Sequence, residues 1–161
     1  MNILVVSQYF WPENFRINDL TAELVRRGHK VTVLTGQPNY PEGFLYPDYL
    51  KNKSKYNDYE GATIVRVPII TRGKSKLKLL LNYISFALSA STFGVYRLRH
   101  IDFDSIFVFE PSPITVGLPA VFLRKIKNAP MVFWVLDLWP HSLMAVGVLN
   151  SKVLLRFLGF I

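Results

Sequence analysis

The apolar positions of this 161-residue chain fall into short runs that alternate with stretches of helical period. Ile3 to Ser7 is a short, β-branched run followed at once by polar and turn residues, the pattern of a buried strand. From Phe15 to Arg27 the spacing becomes helical: Ile17, Leu20, Leu24 and Val25 share one side, Asn14 is the candidate N-cap, and Gly28 stands where a left-handed residue would end the helix. Val31 to Thr35 is the next strand. The tract Gly36 to Gly43 carries two prolines and two glycines and reads as a loop. Residues 44–60 form an irregular excursion rich in Tyr, Lys, Asn and Asp. The pattern then predicts a strand over Ala62–Ile70, a helix over Leu77–Arg99, a strand over Ser105–Phe109, a helix over Ile114–Lys127, a strand over Pro130–Leu136 and a final amphipathic segment over Ser151–Phe160.

Strand and helix alternate without an internal repeat or low-complexity linker, which implies an α/β domain with right-handed crossovers and helices on both faces of a parallel sheet. The expected architecture is a Rossmann-like, doubly wound parallel sheet over residues 1–150 with strand order near 3-2-1-4-5. In such sheets ligands bind beyond the carboxyl ends of the strands. Four clusters fall there: Ser7 to Asn14, the Gly36 to Gly43 loop, Glu110-Pro111-Ser112-Pro113, and Asp137-Leu138-Trp139-Pro140-His141-Ser142.

Composition narrows the chemistry. Half of the residues are apolar and none is cysteine, so the chain can bury a sizeable core, and thiolate metal sites and cysteine nucleophiles are excluded. The first apolar run is too short for a secretory signal, so a cytoplasmic start is expected. No G-x-G-x-x-G follows the first strand and no P-loop, H-E-x-x-H or G-x-S-x-G occurs, which disfavours a dehydrogenase, a P-loop NTPase, a zinc hydrolase and an esterase. Asp137 ends an apolar strand where a carboxylate faces either a cleft or the next turn. Glu110 bonds a sugar hydroxyl or a backbone amide, or else satisfies the helix beginning near Ser112. His141 has a site role and a capping role in equal balance, and Tyr9, Phe10 and Trp11 are either an aromatic wall for a ligand or loop packing.

The net charge is +8, and its distribution is uneven. Residues 62–101 hold seven basic side chains and no acid. Within them the Leu77–Arg99 helix puts Lys78, Asn82, Ser85, Ser89, Thr92, Tyr96 and Arg99 on one stripe and Leu77, Leu80, Leu81, Ile84, Leu88, Val95 and Leu98 on another. Its first expected duty is to cover the sheet with the apolar stripe. The basic lead-in Arg72, Lys74, Lys76 and Lys78 predicts contact with an anionic membrane surface, each cation adding ~1 kcal/mol of attraction near such a leaflet. Nucleic acid is not expected, because no RNA- or DNA-binding motif accompanies the charge.

The segments Ile3 to Glu13, Leu24 to Thr35 and Pro38-Asn39-Tyr40-Pro41, with Glu110-Pro111-Ser112-Pro113 and Asp137-Leu138-Trp139-Pro140, resemble in order the amino-terminal domain of a family 4 (group 1) glycosyltransferase, nearest the bacterial WbuB type that serves O-antigen or capsule assembly. The resemblance implies a GT-B enzyme that moves a sugar from a nucleotide donor with retention and without a metal or other cofactor. It also implies that this half holds the acceptor, often lipid-linked, peripherally at the inner face of the cytoplasmic membrane. By the same likeness Asp137 is the catalytic candidate, at a position where many relatives carry His. Gln8, Tyr9, Trp11, Glu13, Asn14, Asn39, Tyr40, Glu110, Trp139 and His141 are the substrate-binding candidates. Residues 151–161 would begin a helix leading to a donor-binding domain, missing here or supplied by a separate chain, so this chain alone is expected to be inactive. The alternative is a non-catalytic Rossmann-like membrane-binding or interaction module.

Overall fold

The computed structural model describes residues 1–137; the expected segment Ser151–Phe160 and the site candidates Trp139 and His141 lie outside the described residues. Strands β1 (Asn2–Val6), β2 (Lys30–Gly36), β3 (Asp58–Tyr59), β4 (Ala62–Val67), β5 (Ser105–Glu110) and β6 (Met131–Val135) form one sheet in the order β3-β4-β2-β1-β5-β6. All neighbours are parallel except the two-residue β3, which pairs antiparallel with β4. Without β3, the parallel strands follow the expected 3-2-1-4-5 order. The break in order falls between β1 and β5, where consecutive crossovers leave toward opposite edges.

Alternation along β1 divides the core. Leu4 and Val6 face one layer with Leu34, Phe86, Leu98, Val108 and Leu123, while Ile3 and Val5 face the other with Phe10, Ile17, Val33 and Ile64. Helix α1 (Arg16–Arg26) covers the second layer, and Gly28 ends its turn at φ +83, as the sequence predicts. Asn14 does not cap it. Phe15 occupies the cap position without a side-chain bond. Asn18, inside the first turn, closes the loop: its Nδ2 donates to Glu13 O at 2.7 Å and its Oδ1 accepts from Trp11 N at 3.2 Å.

The excursion after β2 contains α2 (Pro47–Lys51) and a 3-10 turn, Lys53–Tyr56. One continuous helix, Lys76–Leu98, then packs on the first layer as α3 (Lys76–Ser89), a π-helical turn (Ala90–Gly94) and α4 (Val95–Leu98). Its orientation corrects the expectation for this helix. Asn82 is fully buried, whereas Leu77 and Leu88 are 65% and 63% exposed, and Leu80, Leu81 and Ile84 also face outward. The sheet is covered by Phe86 and Ala90, which lie in neither stripe, and by Val95 and Leu98, the only members of the expected apolar stripe that face it. Helix α5 (Gly117–Lys127) completes this layer and ends at Asn128 in the left-handed conformation, φ 49.

Candidate functional site

The loops after β1 and β2 form the floor of the carboxyl-terminal rim, and Glu13 joins them. Its Oε1 accepts from the backbone amides of Asn39 (2.8 Å) and Tyr40 (2.7 Å), and its Oε2 from that of Phe10 (3.1 Å). The residue is 2% exposed, and burial pushes its carboxyl up to about 7 against the pull of these three amides and of Arg66. Glu13 therefore faces the protein's own backbone, which corrects the expectation that it faces substrate: both oxygens are engaged.

Beside it runs a buried amide network. Gln8 Nε2 (2.7 Å) and the Tyr9 hydroxyl (3.1 Å) both donate to Asn82 Oδ1, while Asn82 Nδ2 donates to Ile70 O (2.6 Å) and Asn39 Oδ1 (3.3 Å). Asn39 Oδ1 also accepts the Arg72 amide at 2.7 Å. Gln8 and Asn39 are thus interior residues that hold the rim's shape.

Above this network a cavity of about 210 Å³ opens between Tyr9, Phe15, Tyr40, Arg72, Tyr83, Pro111 and Ser112. Tyr9 stacks on Phe15 with ring centroids 5.3 Å apart, and Tyr40 packs obliquely on both. The Arg72 guanidinium lies 5.0 Å from the Tyr40 ring centre. The sequence places Arg72 with the membrane-facing cations; its half-buried place in this cavity corrects that, whereas Lys74, Lys76 and Lys78 are exposed. Burial raises the Tyr9 and Tyr83 hydroxyls, so both are neutral donors at physiological pH. A larger concavity of about 500 Å³, lined by Val121, Arg124 and Lys125, lies by the loop entering β6, at the amino-terminal end of that strand.

Two acids meet at the ends of β5 and β6. Glu110 is fully buried; its Oε2 accepts the Asp137 amide at 3.3 Å, and its Oε1 has no partner. Burial pushes it up to about 7, with the Asp137 charge adding to the rise. It does not cap the following helix, whose start has no side-chain cap. Asp137 is partly exposed, and its charge and that of Arg72 act in opposite senses on Tyr83. Trp11 packs instead against Tyr56 and Tyr59, outside this cavity, and Asn14 is exposed. The arrangement offers stacking surface, hydroxyl donors, one cation and one accessible carboxylate, a set suited to a polyhydroxylated ligand bearing an anionic group. Among the described residues no group of three His, Asp or Glu side chains gathers.

Tyr83 and Asn82 are not among the site residues the sequence points to, and Arg72 is among them only as a membrane-facing cation. The available signal was Asn82, a lone amide between Leu79-Leu80-Leu81 and Tyr83-Ile84.

No protein-family model matches the chain. It is similar to the Escherichia coli K12 protein WcaI, assigned as a glycosyl transferase of colanic acid biosynthesis, with 30% identity over 92% of this chain and 37% of that protein. Its fold matches the calicheamicin glycosyltransferase CalG4 (TM-score 0.60, 17% identity, 99% of this chain and 42% of that one). It also matches the glycotransferase of kitacinnamycin (TM-score 0.57, 17% identity, 90% and 34%). The fold is that of the amino-terminal, Rossmann-like half of a GT-B glycosyltransferase, in agreement with the sequence resemblance. The chain spans less than half the length of each of these proteins.

Proposed function

We propose that this chain is the acceptor-binding half of a glycosyltransferase that builds a bacterial surface polysaccharide on a lipid-linked saccharide. The observation that carries the reading is the division of labour on α3. Its inner side contributes Asn82 and Tyr83 to the rim site, and its outer side presents Leu77, Leu80, Ile84 and Leu88 to solvent. One helix thereby serves both the polar head and the apolar anchor of such an acceptor. By length and composition Lys76–Leu98 could cross a membrane, but its packing against the sheet fits a helix lying on the membrane surface. Lys74, Lys76 and Lys78 beside the leucines add attraction for an anionic leaflet.

In this reading Tyr40 stacks on the acceptor sugar with the buried Tyr9 supporting it from below, Arg72 meets its anionic group, and Asp137 orients the acceptor hydroxyl or the donor sugar. Glu110, at neutral pH poised between its charged and neutral forms, holds the Asp137 backbone from behind. The nucleotide-sugar donor is a substrate held mainly by a second domain, and transfer requires both halves to align the reacting groups. No metal or other cofactor is called for.

The test is co-expression of the chain with a candidate donor-binding domain, followed by sugar transfer to a lipid-linked acceptor. Turnover that appears only in the mixture and is lost in Asp137→Ala supports the proposal. A folded complex without turnover across nucleotide-sugar donors supports a non-catalytic membrane-binding or interaction module.

A further inference from the structure

A third concavity, sharing no residue with the rim site, lies beyond β4 at the edge of the sheet. It measures about 410 Å³, within the usual range for ligand pockets of ~300–1,000 Å³. Its lining includes Tyr49, Lys53, Arg66, Phe93 and Arg97 and no acidic side chain. Arg66 is the unusual member. It is only 8% exposed, one guanidinium nitrogen donates to Gly36 O at 2.8 Å and another to Trp11 O, and Nε has no partner.

No carboxylate among the described residues touches these cations, although the buried Glu13 acts on Arg66 from beyond contact distance. The ion pairs among the described residues engage Arg16, Arg26, Arg27 and Lys51, leaving Lys53, Arg66 and Arg97 without a carboxylate in contact. Lys53 and Arg66 instead share one aromatic ring, Tyr49, at 6.0 and 5.6 Å from its centre. Burial lowers Arg66 to about 10, which leaves it charged at neutral pH. Arg97 donates to Arg66 O at 3.3 Å, so it is fastened to the wall of the cavity. A buried guanidinium with an unpartnered N–H is costly unless an anion completes it.

We infer that the cavity bounded by Lys53, Arg66 and Arg97 binds a phosphate-type anion. Three cations match the ~1.5–2 negative charges of a phosphomonoester, and the volume leaves room for an organic substituent against Phe93. Phe93 is exposed on the same continuous helix as the outer leucines, so the phosphate could be that of a free phosphorylated compound or of an anionic lipid headgroup.

Both sources are separable with the 161-residue chain. Calorimetric titration with pyrophosphate at about 0.1 M salt, where charges farther apart than ~10 Å are largely screened, is expected to show saturable binding. Lys53→Gln with Arg97→Gln should weaken it about tenfold at an unchanged melting temperature, avoiding the buried Arg66. Arg124→Gln with Lys125→Gln removes the same charge elsewhere and should leave binding within about twofold, a difference below ~0.4 kcal/mol. Flotation with phosphatidylglycerol-containing and pure phosphatidylcholine vesicles identifies the source: a lipid headgroup if the Lys53/Arg97 variant also loses vesicle binding selectively, a free phosphate if it loses only pyrophosphate. Absence of saturable binding to both probes, or equal losses in the two double variants, overturns the inference, whatever the outcome of the sugar-transfer assay.

Discussion

One oxygen of Glu13 accepts two consecutive backbone amides, Asn39 at 2.8 Å and Tyr40 at 2.7 Å, from a loop 26 residues further along the chain. A single carboxylate thus fastens the floor of the rim site. Glu13→Gln puts an amide group where both oxygens now receive N–H donors, and leaving a buried donor unmatched costs ~1–3 kcal/mol. Urea unfolding should show a loss of that size, and hydrogen exchange at Asn39 and Tyr40 should accelerate more than in the β1 core. Unchanged exchange at both amides would show that the loop holds without the clamp.

Acidity should stabilise this fold over a defined window. Glu13 and Glu110 sit at about 7 in the folded chain, whereas an unfolded glutamate lies near ~4.3. Between those values the folded state keeps protons that the unfolded state releases, so stability falls as pH rises from about 4.5 to 7 and levels off above it. The melting temperature is expected to be higher at pH about 5 than at about 7.5. The difference should shrink in Glu110→Gln, whose side chain cannot ionise. A melting temperature that climbs steadily with pH through this window contradicts the assignment.

Gly43→Ala should disturb the rim, where Gly43 is buried. Gly43 has φ +85, and a Cβ there would stand 2.8 Å from Gly73 O, a backbone atom held in place because Gly73 N–H itself donates to Gly43 O. The expected loss is ~1–3 kcal/mol, combining an unfavourable φ with a contact that no rotamer relieves. Chemical denaturation measures it, and a stability equal to wild type would disprove the close approach.

The outer leucines of α3 should be dispensable for folding and required for membranes. Leu80→Ser with Leu88→Ser removes two exposed side chains, so thermal stability should change by no more than ~0.5 kcal/mol per site. Burying a leucine is worth ~1.5–3 kcal/mol, so partition onto anionic vesicles should drop more than tenfold. A large loss of stability with unaltered vesicle binding would mean that these leucines serve the fold.

The strand pattern and the 3-2-1-4-5 arrangement were legible because buried parallel strands leave continuous apolar runs such as Ile3 to Val6, separated by helical spacing. Tyr9, Tyr40 and Asp137 were also accessible to sequence reasoning, since strand ends fall on one rim. The inward side of α3 was not. Periodicity separates a leucine stripe from a polar one but cannot decide which meets the sheet when Asn82 has four hydrogen-bonding contacts waiting inside. Likewise, Arg72 and Arg66 looked like two members of one basic stretch. Only tertiary contacts assign them to separate cavities.

The wider turn at Ala90–Gly94 sets the phase of everything after it. Phe86, Ala90, Gly94 and Leu98 are spaced four apart and all are buried. In an unbroken α-helix each step of four overshoots a full turn by about 40°, so by Leu98 the line would have wandered about 120° from the sheet. The π turn absorbs that excess. Its length, more than any side chain within it, decides that Leu98 points inward and that Arg97 lands beside Arg66. The helix behaves as two gears on one shaft, in which the leucine-bearing half and the arginine-bearing half are indexed separately, and shortening the coupling by one residue would rotate only the second.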